Sequence, residues 1–249
     1  RQNPQTLGVY TSNGRTLKTI ITTPTTDKNG VGFRANSFEE ISINNAGIVG
    51  IIESISSRAE VVFASDGSNT KQISQESAPL YKGLQISDRG NVVFSYDVLG
   101  IYTGDIKTST PIVSASGFTD GKIDFVSSPS LNNTDTYAYV RGSADTTKNE
   151  AIESKVQLKK GNTTTTVADT SGDFNSFGTT SVNDRGTVAF IANLDAGGKG
   201  IFTGNNPKTD KVIATGDSLF GYTVVDLDFA SEGLNNSGQI TFVAKLANN

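Results

Sequence analysis

Ser181-Val182-Asn183-Asp184-Arg185-Gly186-Thr187-Val188-Ala189-Phe190-Ile191-Ala192 joins a polar turn to an apolar run, and the chain repeats this arrangement five times. Asn and Asp favour turns because their short side chains bond nearby backbone, and Gly enters the left-handed region without steric cost. The β-branched and aromatic run that follows is strand material. The copies are Ile43-Asn44-Asn45-Ala46-Gly47, Ile86-Ser87-Asp88-Arg89-Gly90, Leu131-Asn132-Asn133-Thr134-Asp135, Val182-Asn183-Asp184-Arg185-Gly186 and Leu234-Asn235-Asn236-Ser237-Gly238. Successive anchors, counted at the Asn or at Ser87, lie 43, 45, 51 and 52 residues apart, and seven residues beyond each comes Ile51, Phe94, Tyr139, Phe190 or Phe242. Variable spacing around a fixed motif places insertions between units of one design.

Three further strands complete the unit. After the strand that follows the turn comes a second: Gly8-Val9-Tyr10-Thr11-Ser12, Val61-Val62-Phe63-Ala64-Ser65, Gly100-Ile101-Tyr102-Thr103-Gly104, a degenerate Val156-Gln157-Leu158, and Gly200-Ile201-Phe202-Thr203-Gly204. A third follows at Lys18 to Ile21, Lys71 to Ile73, Pro111 to Val113, Thr166 to Ala168 and Lys211 to Ala214. Asn13-Gly14 and Asp66-Gly67 stand between second and third, where they supply positive φ for a tight hairpin. Another strand precedes each anchor, marked by Phe38, Tyr81, Phe125, Phe177 or Phe229. The unit reads A, turn, B, C, hairpin, D, and no stretch has a helical period.

The B runs Val188 to Ala192, Ile240 to Ala244 and Val92 to Phe94 are apolar on successive residues, which predicts strands covered on both faces. Small antiparallel sheets stacked face to face meet that requirement, as in a β-propeller. The phase of the repeat adds to this reading. The chain opens with strands C and D and ends with A and B, so the first and last stretches each hold half a unit. The sequence therefore predicts an all-β chain, one domain over residues 1–249, folded as a five-bladed β-propeller with two-plus-two closure of the last blade. An open tandem array of the same sheets is the alternative.

The pattern N-x-x-G-x-[VI]-x-F, then G-[IV]-[FY]-T-G, resembles the NxxGxxAF tandem-repeat proteins, which are secreted bacterial and especially cyanobacterial chains. It is also similar to the WD-like blades of the periplasmic Tol-system propeller. The likeness spans nearly the whole chain, departs from the pattern at Ser87 and Asp135, and implies a fold and a secreted or periplasmic setting without implying a catalytic motif.

Composition narrows the chemistry. The 249 residues are 35% hydrophobic and contain no Cys, His, Met or Trp. Without Cys and His there is no thiol nucleophile, no Ser-His-Asp triad, no disulfide framework and no ordinary zinc site. Net charge is −4, from 21 Lys and Arg against 25 Asp and Glu with the signs interspersed, which argues against nucleic acid or an anionic membrane surface as partner. No apolar run is long enough to span a membrane. The absence of Met, including at position 1, predicts a processed chain, in keeping with export. No cofactor is expected, and no D-x-[DN]-x-[DN]-G calcium loop is present.

Function is expected where the units fail to repeat, because loops on a rigid scaffold carry binding residues. The D–A loops hold Phe118 and Asp120, Asp173 and Phe174, and Asp217, Phe220 and Tyr222, and a B–C loop holds Tyr96 and Asp97. An aromatic beside a carboxylate suits a sugar ring, one stacking and the other accepting hydroxyl hydrogen bonds. This predicts a secreted module binding polysaccharide. A glycoside hydrolase is the first alternative, with Glu39, Glu40, Asp124, Asp226 and Asp228 on or near the innermost strands as candidate carboxylates. A self-assembling surface protein is the second. The anchor Asn and Gly residues are read as turn makers and the repeated aromatics as wedges between blades.

Overall fold

A computed structural model describes residues 7–23, 25–26, 32–33, 37–56, 59–74, 81–96, 100–104, 109–114, 117–119, 121–148 and 150–247. The described residues are all-β, in small antiparallel sheets with no helix. They cluster into two compact units, one of residues 1–97 and 101–113, the other of residues 98–100 and 114–249.

The first unit begins with a two-stranded sheet, β1 (Gly8–Ser12) and β2 (Leu17–Thr22), and a short hairpin, β3 (Thr25–Thr26) and β4 (Gly32–Phe33). Two four-stranded meanders follow. One comprises β5 (Ser37–Ile43), β6 (Val49–Ser56), β7 (Ala59–Ser65) and β8 (Thr70–Gln72). The other comprises β9 (Tyr81–Ile86), β10 (Val92–Tyr96), β11 (Gly100–Gly104) and β12 (Ser109–Ser114).

The second unit holds a five-stranded sheet of β13 (Gly117–Thr119), β14 (Lys122–Leu131), β15 (Thr136–Asp145), β16 (Glu150–Lys160) and β17 (Thr163–Asp169). Next come a four-stranded sheet, β18 (Phe174–Val182), β19 (Val188–Leu194), β20 (Lys199–Phe202) and β21 (Lys211–Ala214), and a three-stranded one, β22 (Ser218–Leu219), β23 (Tyr222–Asp228) and β24 (Val243–Ala247). Two expectations need correction. The degenerate Val156 to Leu158 segment is the middle of an 11-residue strand, β16. The last B strand is not Ile240 to Ala244 but Val243–Ala247, because a turn at Ala230–Gly233 interrupts the hairpin and leaves Ile240 with only a bridge to Leu234.

The anchor turns explain the repeat. In the four built on Asn, the Asn side-chain oxygen accepts two backbone N–H groups of its own turn; in the second, the Ser87 hydroxyl accepts the Asn91 N–H at 3.3 Å. Asn183 takes those of Arg185 and Thr187 at 3.1 and 3.0 Å, and Asn44, Asn132 and Asn235 do the same. The fourth turn residue sits at positive φ, +77° at Gly47 and +80° at Gly186, and Asp135 takes the same conformation at +56°.

The other end of the amide reaches out of the turn. Asn44 Nδ2 donates to the Ser87 carbonyl at 2.9 Å, Asn132 to Asn183 at 2.7 Å, and Asn183 to Asn235 at 3.1 Å. These bonds span 43, 51 and 52 residues, the anchor intervals. A second rung lies beside the first. Asn45 donates through its N–H and side-chain amide to Asp88, and Asn133 does so to Asp184. Asn236 Nδ2 also donates to Asp184, so within the second unit one carboxylate joins three consecutive turns. Asn44, Asn132 and Asn183 are therefore rungs between neighbouring sheets as well as turn makers.

Burial follows the same logic. On β6, Ile51 packs with Val9, Ile20 and Ile21 of the β1–β2 sheet, while its neighbour Ile52 packs with Tyr81, Leu84 and Phe94 of the β9–β12 sheet. On β19, Phe190 packs with Ala138, Val156 and Phe174, and Ala189 with Val224, Leu227 and Phe229. Both strands are covered on both faces, as their unbroken apolar runs require. Two carboxylates staple adjacent sheets in the first unit. Glu40 accepts the N–H of Leu84 at 2.7 Å and of Gly83 at 3.3 Å, and Glu60 accepts that of Tyr81 at 2.7 Å.

Candidate functional site

The carboxylates near the innermost strands are occupied in different ways. Glu40 is the staple just described, and Glu39 accepts a hydrogen bond from the Ser37 hydroxyl. Asp228 accepts the Phe229 N–H at 2.9 Å. Asp226 lies 2.6 Å from Lys199 Nζ, and the hydrogen bonds from Lys199 and the Leu227 N–H hold its carboxyl below the usual range. A glycosidic general acid needs the opposite shift. In the second unit the β18–β21 sheet stands between β14, which carries Asp124, and β23, which carries Asp226 and Asp228.

The loop candidates separate by burial. Phe174 is not a loop residue: it opens β18, is 1% exposed, and meets Phe177, Phe190 and Phe202 at ring centroid distances of 5.3, 5.8 and 5.0 Å. Tyr96 ends β10, half-buried against Tyr81 at 5.5 Å. Asp173 is exposed. Asp97, Asp120 and the side chain of Phe118 lie outside the described residues. Asp217 closes the corner between β21 and β22, bound to Lys211 Nζ at 2.7 Å and to the Ala214 N–H at 2.8 Å.

Phe220 and Tyr222 remain accessible. They lie at the β22–β23 hairpin, where Leu219 pairs with Tyr222 and leaves Phe220-Gly221 as a two-residue loop. Both loop residues have positive φ, +54° and +83°, as a type I′ turn requires. Asn-Gly suits such a turn, whereas a bulky L-residue in that region costs about 1–2 kcal/mol. Phe220 is also 87% exposed and Tyr222 44%. Local strain and an exposed aromatic ring coincide at one tip.

A second feature was not anticipated, a cavity of about 470 Å³ over one face of the five-stranded sheet. Register builds its lining in rows. Asp124, Ser143 and Glu153 are cross-strand partners on β14, β15 and β16, Val126, Arg141 and Lys155 form the next row, and Tyr139 pairs with Gln157 beyond it. Rows two residues apart are separated by about 6.6–6.8 Å. Lys155 lies 3.6 Å from Glu153, whereas among the described residues neither the Arg141 guanidinium nor the Gln157 amide has a hydrogen-bond or ion-pair partner. Burial pushes the Tyr139 phenol up, against the opposing effects of the Thr164 hydrogen bond and Arg141, so it stays protonated at neutral pH. Apart from Asp124, named among the candidate carboxylates, these residues were missed because they sit on separate strands, and only the pairing register brings them together.

Tandem antiparallel sheets packed face to face and tied through asparagine turns define a repeat protein with a cavity on one sheet. Residues 114–249 match DUF7453, a family of unknown function, and the chain belongs to that family. No curated protein matches it. The matched segment carries the cavity, the Phe220 hairpin and the last three anchor turns. Among the described residues no helix is long and apolar enough to cross a membrane.

The titrating groups make a pH prediction. Asp66 is held below the ordinary carboxyl range by the backbone N–H groups of Asn69 and Ser68, Asp145 by the Thr147 hydroxyl, and Asp169 by the Ser171 hydroxyl. For Asp217, burial raises the pKa but the Lys211 and Ala214 hydrogen bonds together outweigh it. A carboxyl depressed in the folded state contributes stability above its unfolded pKa of about 3.9 and loses it as pH falls through the folded value. With no His or Cys to titrate near neutrality, Tm is expected to be flat from about pH 5 to 8 and to fall steadily below about pH 4. Calorimetric melts across that range check it, and a step in Tm near pH 6.5 contradicts it.

Proposed function

We propose that this protein is a secreted or periplasmic five-bladed β-propeller that binds extracellular polysaccharide, with the β22–β23 hairpin as a sugar-stacking element. Five anchor turns, face-packed four-stranded sheets and half-units at Gly8–Thr22 and Tyr222–Ala247 support the propeller. Tyr10 and Leu17 on the two-stranded sheet and Val243 and Leu246 on the three-stranded one are exposed, and a completed blade gives such apolar residues a partner. The likeness to NxxGxxAF repeats favours export.

Phe220 carries the binding reading. An aromatic residue held at positive φ and 87% exposed sacrifices folding stability, and strain of this kind concentrates where a residue meets a ligand. Tyr222 adds a second ring face beside it, and stacking on sugar C–H groups uses both. Asp217 is engaged at its corner and is assigned no ligand. An array of extracellular polysaccharides is expected to retain the protein on at least one glycan, and retention on none overturns the reading. Phe220→Asn, which suits the turn, is expected to weaken retention at least about tenfold while raising Tm by about 2–4 °C, from roughly 1 kcal/mol of relieved strain.

The exposed apolar residues of β24 favour a second reading, a self-assembling surface protein. Concentration-dependent oligomers in light scattering support it, and a monomer at every concentration removes it.

A further inference from the structure

Strand β17 is the last of the five-stranded sheet, and among the described residues it has one strand neighbour, β16. Its other edge points along the sheet and away from β16, so a sheet packed on either face leaves that edge open. The strand runs Thr163-Thr164-Thr165-Thr166-Val167-Ala168-Asp169, and its first four residues are all exposed. An unpaired edge is a template for another strand, and proteins blunt it with short length, proline or charge, lysine above all. The last strands of the four-stranded sheets use these devices. Strand β8 has three residues and carries Lys71, β21 has four and carries Lys211, and β12 carries Pro111. Strand β17 has seven residues, five of them β-branched, with no proline or lysine and a single charge at its end. Asp169 gives its N–H to the Asn205 side chain at 3.1 Å, which caps that end and leaves Thr163 to Ala168 for pairing.

We propose that β17 pairs with β17 of a second copy of this chain, antiparallel across a two-fold axis, to form one continuous sheet. The occupant follows from the charges. Lys160 and Lys159 lie beside the start of β17, as the partners of Thr163 and Thr164, whereas at the other end Asp169 and Glu153 outnumber Lys155. An antiparallel copy sets the basic end of each strand against the acidic end of the other, and a parallel strand of the same sequence sets like against like. Centred on Thr165, the pairing places Thr164 opposite Thr166 and Thr165 opposite itself, and Thr–Thr contacts stabilise antiparallel pairs. A two-fold pairing uses the edge up, so assembly closes at the dimer. One added ladder buries less than the roughly 1,200–2,000 Å² of a stable interface, so dissociation is expected on the order of 10–100 μM. A dimer carries two Phe220 hairpins and holds a repeating polysaccharide at two points, but the pairing stands without that reading.

Sedimentation velocity from about 1 μM to about 1 mM tests the proposal across the expected range. A monomer–dimer equilibrium is expected, with amide exchange in residues 163–167 slowing as the dimer forms. Thr165→Lys sets two like charges face to face at an exposed position on the axis, and is expected to weaken dimerisation about tenfold or more with Tm unchanged. Thr165→Val keeps the β-branched shape and is expected to keep the dimer. Val243→Lys, on β24, is the control and is expected to dimerise like the parent. A monomer at every concentration, species that grow past the dimer, or a dimer unaffected by Thr165→Lys overturns the proposal. If Val243→Lys removes the association and Thr165→Lys does not, assembly belongs to β24 and the β17 pairing falls. A monomer that is still retained on a glycan sinks the pairing and leaves the polysaccharide reading standing.

Discussion

Asn183→Ala is expected to lower Tm by about 6–12 °C, a loss of about 3 kcal/mol at about 2–4 °C per kcal/mol for a chain of this size. Asn183 is 4% exposed and serves two turns at once. Alanine leaves the Arg185 and Thr187 N–H groups and the Asn235 carbonyl without their partner, and each part-buried hydrogen bond lost costs about 1 kcal/mol. Asn235→Ala is the internal control. Asn235 makes the same two bonds inside its own turn but is exposed, and its Nδ2 donates to Gln239 Oε1 at 2.8 Å in that turn, not to another sheet. Water replaces those bonds, so a change of about 1 kcal/mol or less is expected. Thermal melts of the two variants separate the roles: a turn maker alone predicts similar losses, whereas a rung between sheets predicts a large loss only at Asn183.

Phe190→Ala is expected to cost about 3–5 kcal/mol. The ring is fully buried between the β14–β17 and β18–β21 strands, edge-on to Phe177 and Phe174 at 5.4 and 5.8 Å, with Phe202 at 6.1 Å. Its removal loses the transfer of a large apolar side chain and opens a cavity that stiff strands on both sides cannot collapse. Phe190→Leu keeps most of the volume and is expected to cost less than half as much. Urea unfolding followed at a common slope checks both. A Phe190→Ala loss under about 1 kcal/mol contradicts the wedge assignment.

The repeat was legible because turn chemistry and strand period are local. Asn44, Asn132, Asn183 and Asn235 stand where the backbone must turn, and their intervals reappear as hydrogen-bond separations of 43, 51 and 52 residues. The two-sided apolar runs of β10 and β19 announced burial on successive residues. What was missed depends on register and on side-chain direction. The outward-reaching Nδ2 of Asn44, Asn132 and Asn183 cannot be told from a turn cap in the sequence, because both uses need the same residue. Phe174 reads as a loop aromatic until β18 is seen to begin there and point it inward. Strand β16 was hidden by Lys155, Gln157 and Lys159, whose polar character belongs to the cavity face while Val156 and its alternating neighbours face the core. The strain at Phe220 appears only once the two-residue loop is fixed by the pairing of Leu219 with Tyr222.

The central claim is a division of labour: residues that repeat hold the sheets together, and residues that do not repeat meet the ligand. Melting and glycan retention measured side by side on Asn183→Ala and Phe220→Asn test it most directly. The account predicts that Asn183→Ala melts lower yet, well below its Tm, is retained like the parent, while Phe220→Asn melts higher and loses retention. Stability and retention falling together in both variants, or Phe220→Asn retained like the parent, would contradict it.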